Sequence, residues 1–140
     1  MITFQSINVL LPDLDHNVVE AWVEAVAATY GRRVGQVAYV FVDDDEILRV
    51  NRQFLQHDYF TDIITFGSSA GRTISGDLII SLDTVRTNAE GLGVTYEQEL
   101  NRVVIHGILH LCGLNDKGPG EREQMEAAEN KALQLLEGLL

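Results

Sequence analysis

The sequence predicts an α+β fold: a single domain with a mixed four-stranded sheet and about five helices packed on it. Three observations predict it. β-rich and helix-periodic runs interleave along the chain. The length, 140 residues, suits one domain, 1–140. Hydrophobic residues make up 46% and charged residues 22%, which supplies a core and disfavours disorder.

Residues 2–9 alternate loosely in hydrophobicity and predict the first strand, ended by Pro12. Asp13 or Asp15 then offers an N-cap for a helix to about Tyr30. Val18, Val19, Trp22, Val23, Val26 and Tyr30 follow helical spacing in it, and Gly31 suits the position just past its end. Residues 36–42 form a continuous apolar run, the pattern of a strand covered on both faces. Asp43 with Glu46 resembles a capping box, and a helix follows through Phe54. The acidic run 43–46 reads as that helix's N-terminus rather than as a partner-facing patch.

Residues 62–66 and 76–82 predict two more strands, joined by the glycine-containing segment 68–75. Asp83 opens a short helix that stops near Gly91. Thr95 and Gln98 form a second capping-box pattern, and the helix they open carries Leu100, Val103, Val104, Gly107, Ile108 and Leu111 on one stripe, with Gly113 as its stop. Pro119, at a first-turn position, starts the last helix, whose core face is Met125, Ala128, Ala132, Leu135 and Leu136.

Composition narrows the function classes. No apolar run approaches the ~20 residues that span a bilayer, and the first residues lack the basic stretch and cleavage site of a signal peptide. Cys112 is the single cysteine, so no intrachain disulfide forms, and the expected compartment is the cytoplasm. The formal net charge is -11, which repels polyanions overall. Eight of the ten basic residues are nonetheless arginine, the side chain suited to bidentate phosphate contacts.

The segment 106–116 carries the chemistry. His106 and His110 are i and i+4 on the predicted helix, so their imidazoles share a face one turn apart. A tetrahedral metal needs a third protein ligand. Gly113 reverses the chain, and Asp116 is the first carboxylate after the turn. The reading is a metal site of His106, His110 and Asp116 with water in an open fourth position. The bland alternative is a half-buried histidine pair without a ligand. Cys112 faces elsewhere and reads as a small buried hydrophobe; His16 and His57 read as surface or capping residues.

This segment resembles the signature of the YbeY endoribonuclease family, a helix H-G-x-L-H-L-x-G followed by Asp-His. Residues 47–66 are similar to a second family segment, matched by Asn51, Phe54, Asp58, Thr61, Asp62, Thr65 and Phe66, and residues 76–81 to its Gly-Asp strand. The resemblance implies a single-domain α+β metalloprotein holding one divalent metal, zinc in the first place, through the helical histidine pair and a third ligand. It implies cleavage of single-stranded RNA, 3′-end maturation of 16S rRNA and ribosome quality control. Ribosomal RNA, and the ribosome or small-subunit proteins, would be partners; a membrane and DNA would not.

Three positions depart from the family pattern. Asp116 stands where most members have His, Asn115 where Asp is usual, and Leu55 where an Arg follows the aromatic. The task of that arginine, contacting RNA or stabilising charge, then falls to Arg52, Arg86 or Arg102. The mixed donor set also suits iron, manganese or nickel. Two other classes compete. A metallopeptidase would place a general-base Glu directly after the first His, where Gly107 stands, and Glu121 is a poor substitute because it opens a helix. A non-catalytic, metal-stabilised ribosome biogenesis factor is the other, and the acidic charge favours it.

Overall fold

The computed structural model describes residues 1–57 and 59–140; Asp58, one of the matched positions above, lies outside the described residues. The order is β1 (Ile2–Ser6), α1 (His16–Thr29), β2 (Arg33–Val42), α2 (Asp44–Val50), a π-helical turn (Asn51–Leu55), β3 (Ile63–Gly67), β4 (Thr73–Ser81), α3 (Leu82–Leu92), α4 (Tyr96–Leu111) and α5 (Glu121–Leu139). The strands lie in the order β1-β2-β4-β3. β1 and β4 flank β2 in parallel, and β3 closes the edge antiparallel to β4, with Ile63 opposite Ile80 and Gly67 opposite Gly76. This is the mixed sheet the sequence predicts.

The alternation of β2 sorts the sheet's two faces. Val37, Tyr39 and Phe41 point into the main core with Ile74, Leu78 and Ile80 of β4, against α1, α4 and α5. Val40 and Val42 point the other way, into a smaller cluster with Ile47 and Val50 of α2 and Ile64 of β3. Two buried side chains lock helices in place. The Tyr39 hydroxyl donates to the Val104 carbonyl at 2.9 Å, and the Trp22 indole donates to the Ala132 carbonyl at 2.7 Å. The first ties α4 to the sheet and the second ties α5 to α1.

Several boundaries differ from expectation for local reasons. Asp43 caps α2 by accepting from the Glu46 N–H, but Glu46 turns its carboxylate to Arg49, so the box is only half made. α3 runs past Gly91 and stops at Gly93, which takes the left-handed conformation at φ 70°. α5 begins after Gly120, φ 76°, rather than on Pro119. The strand at 76–82 starts earlier, at Thr73, because it pairs with Arg33 and Val34 across a bulge in β2. The box at Thr95 and Gln98 forms as read, with reciprocal bonds of 3.1 and 2.9 Å.

Gly107 decides how closely α4 approaches the sheet. A Cβ there would meet Leu78 Cδ2 and Ile63 Cδ1 at 2.9 Å. Its Cα therefore faces the sheet, away from solvent, and brings the histidine-bearing turn of α4 down onto the β3 end.

Candidate metal centre

The end of α4 builds the site. Cys112 caps the helix and Gly113, φ 104°, follows. Gly113 donates its N–H to the His110 carbonyl and Leu114 donates to the Leu109 carbonyl at 3.0 Å, the paired bonds of a Schellman stop. The reversal places the Leu114 carbonyl beside His110, whose Nδ1 contacts it at 2.9 Å. It also returns Asp116 across the two imidazoles, Oδ2 lying 3.4 Å from His106 Nε2 and 3.6 Å from His110 Nε2. The two rings meet edge to face with centroids 4.5 Å apart.

One ligand atom from each of His106, His110 and Asp116 lies within 4.8 Å of the others. The tautomers are set by the far nitrogens. A carbonyl and a carboxylate are acceptors, so each Nδ1 carries the proton and each Nε2 presents a lone pair. With both imidazoles neutral, three acceptors converge with no proton between them, an arrangement that a bound cation or a proton on Nε2 relieves. Donors about 2.0–2.1 Å from a tetrahedral zinc lie roughly 3.4 Å from one another, close to the two distances observed. The donor set fits a divalent ion and leaves a coordination position free of protein.

His106 is oriented by a residue that the sequence reading missed. Glu129, from the buried face of α5, places Oε2 2.6 Å from His106 Nδ1, and its Oε1 accepts from Arg102 at 2.9 Å. Burial opposes charge on both partners, yet the hydrogen bond between them and their mutual attraction outweigh it. His106 is held above the ordinary histidine pKa and Glu129 below the ordinary carboxylate value, the latter helped by Arg102. Asp62, matched above on the family segment, and Glu99 line a cavity together with His106 and Glu129. Burial raises the pKa of both Asp62 and Glu99, and repulsion between the two adds to it for Glu99. Glu99 and Glu129 did leave a signal, being carboxylates on otherwise buried helical faces.

The other expected residues fall as follows. Arg102 reaches Glu129 and the Asn130 side chain. Arg86 stacks over the Tyr96 ring at 4.8 Å. Arg52 lies exposed in the π-helical turn. Leu55 and Asn115 border a cavity of about 640 Å³ that also contains His106, His110 and Asp116. Cys112 is buried in the core, and burial raises its thiol pKa. His16 stacks on Phe4 with centroids 4.0 Å apart. Glu121 accepts from the Gly118 N–H at the start of α5, the helix-opening role read for it. No helix is long and apolar enough to cross a membrane among the described residues.

The chain is similar over nearly its whole length to known proteins. Residues 4–137 match the family model described as Endoribonuclease YbeY. A Phocaeicola vulgatus protein named Endoribonuclease YbeY is 63% identical over 97% of this chain and 99% of its own. A Bacteroides thetaiotaomicron protein of the same name is 61% identical over 94% and 96%. Among solved structures, a solution structure of a Thermotoga maritima protein covers 99% of this chain and 93% of its own, with TM-score 0.66 and 26% identity.

Proposed function

The chain belongs to the YbeY endoribonuclease family, and on that premise we propose that it is a metal-dependent, single-strand-specific endoribonuclease of the cytoplasm. Its proposed task is 16S rRNA 3′-end maturation and ribosome quality control, with ribosomal RNA as substrate and the ribosome or small-subunit proteins as partners. The proposed ligands are His106, His110 and Asp116, and the proposed metal is Zn2+, although the same donors suit iron, manganese and nickel. The observation that carries the chemistry is the convergence of three acceptor atoms whose histidine protons are held elsewhere.

A divalent ion in this position supplies Lewis acidity toward a phosphoryl oxygen and lowers the pKa of water. The chain's own residues do the rest. Glu129 and the Leu114 carbonyl hold the imidazoles in the ligating tautomer. Arg102 holds Glu129 in turn and so acts on the site through it. Lys117 borders the cavity with both histidines and supplies positive charge toward a phosphate. Of the other candidate arginines, Arg52 lies exposed in the π-helical turn and Arg86 stacks over Tyr96. Gly107 faces the sheet, against the Leu78 and Ile63 side chains, so the place of a peptidase's general base holds no side chain and points away from the metal site.

The test is cleavage of an end-labelled single-stranded RNA by the wild type and by His110→Ala purified identically, with bound metal measured on both. The expected result is cleavage by the wild type alone and loss of metal in the variant. Equal cleavage by both, or by neither, overturns the endoribonuclease reading in favour of the non-catalytic ribosome factor. Products ending in a 2′,3′-cyclic phosphate would identify the neighbouring 2′-hydroxyl as nucleophile.

A further inference from the structure

Three of the four exposed aromatic residues among the described ones, Phe54, Tyr59 and Phe60, lie between positions 54 and 60, at 58%, 51% and 54% exposure. Two of them are held in place. Phe54 meets Phe66 of β3 edge to face at 5.9 Å. Tyr59 stacks on His57 with centroids 5.1 Å apart and ring planes 20° from parallel, and its hydroxyl contacts His57 Nδ1 at 2.9 Å. Asn51 pins the pair from below. Its carbonyl accepts from the His57 N–H at 3.1 Å, and its side-chain amide donates to the Tyr59 carbonyl at 2.9 Å. The Asn51 side chain is buried for this purpose.

His57 and Tyr59 border the same cavity as the three candidate ligands. The charges there do not favour a polyanion. Among the described residues lining it, Lys117 is the one permanent cation, against Asp62, Asp116 and Glu121, in a chain of net charge -11. Phosphate attraction away from the metal is therefore weak. Aromatic faces offer a different source of affinity, since a base stacked on one contributes about 1–3 kcal/mol, and salt does not screen it.

We propose that Phe54, His57, Tyr59 and Phe60 form a base-stacking platform, in which Tyr59, backed by His57, takes an unpaired base of single-stranded RNA and Phe54 and Phe60 extend the surface. The proposal rests on the endoribonuclease reading and deepens it. The strand is held by its bases more than by its phosphates, and only an unpaired strand offers free base faces. Selectivity for single strands then follows from the platform.

The experiment is fluorescence anisotropy of metal-loaded full-length protein, read before cleavage begins. The probes are a labelled single-stranded oligoribonucleotide and an abasic ribose-phosphate chain of equal length, each across a salt series. RNA is expected to bind at least about ten-fold tighter than the abasic chain, with a shallow salt dependence. Tyr59→Ala is expected to weaken RNA binding about ten-fold, while Tyr59→Phe, which keeps the ring, stays within about two-fold. Circular dichroism and metal content show whether Tyr59→Ala keeps its fold; should it not, Phe60→Ala removes an exposed ring and carries the same comparison. Equal binding of the RNA and abasic chains, or wild-type affinity in both alanine variants, overturns the platform while cleavage by the wild type leaves the endoribonuclease reading standing. A wild type that neither binds nor cleaves RNA overturns both.

Discussion

Replacing Glu129 by Gln tests the orientation of His106 most directly. Glu129 has two oxygens and two partners, His106 Nδ1 at 2.6 Å and Arg102 Nη1 at 2.9 Å. The glutamine side chain would have one oxygen and one amino group in the same space. With the oxygen toward His106 the imidazole keeps its tautomer, but the amino group faces the Arg102 guanidinium, donor against donor. With the oxygen toward Arg102 the amino group faces Nδ1, which must then accept. The proton moves to Nε2, and that nitrogen no longer binds a metal. The first arrangement sets two donors against each other, and the second removes a ligand outright. Partners of this kind change metal affinity by about 10–100-fold, so zinc affinity, measured by competition with a chromophoric chelator, is expected to fall by that factor. The arrangement predicts a sharper result for the double variant. In Arg102→Met with Glu129→Gln no donor competes for the oxygen, which turns to His106, and affinity recovers above that of Glu129→Gln alone. Unchanged affinity in Glu129→Gln, or a double variant weaker than it, would refute the reasoning.

Three further outcomes are expected. Gly107→Ala drives a methyl to 2.9 Å from the Leu78 and Ile63 side chains; overpacking of this kind costs about 1–3 kcal/mol, offset in part by about 1 kcal/mol of helix propensity, so Tm is expected to fall by up to roughly 6 °C, and a raised Tm would show that these side chains yield without cost. Two neutral imidazoles and a carboxylate leave a divalent centre with one net positive charge, so its water is less acidified than at a three-histidine centre. For a reaction that needs the ionised water, the ascending acid limb of the pH–rate profile should therefore move down in Asp116→His, and a wild-type limb lying below the variant's would contradict this. In metal-free protein, the raised pKa of His106 stabilises the fold fully below the unfolded value of about 6.5, and that stability is lost as pH rises through the folded value. The lowered pKa of Glu129 stabilises above its unfolded value, and that contribution is lost as pH falls through the folded one. Melts from about pH 5 to about pH 9 should show a larger alkaline loss for wild type than for Glu129→Gln, and zinc, which excludes the His106 proton, should remove the difference; equal losses would argue against the pair.

How much of this was legible in the sequence follows from the range of each interaction. The three candidate ligands lie within residues 106–116, and the device that gathers them is a helix end closed by one glycine, so residue types and spacing were sufficient. The capping box at Thr95 and Gln98 and the Asp15 cap of α1 are equally local and equally legible. The early starts of β2 and β4 depend on Arg33 and Val34 meeting Thr73 and Ile74, which no short window contains. The π-helical turn that buries Asn51 has no composition signal of its own. Glu129 is the informative failure: it occupies a helical core position beside Met125 and Ala132, yet its partner is 23 residues away.

The two imidazoles are thus oriented by interactions of different reach. His110 takes its partner, the Leu114 carbonyl, from the turn that ends its own helix, so half of the centre forms as α4 stops. His106 takes its partner from α5, and α5 is held by burial and by the Trp22 indole bonded to Ala132, one turn beyond Glu129 on the same helix. The ligating geometry is therefore complete only when the C-terminal helix is docked on α1 and α4. Loosening that docking should free His106 while leaving His110 fixed, which couples metal affinity to the packing of a helix that contributes no ligand.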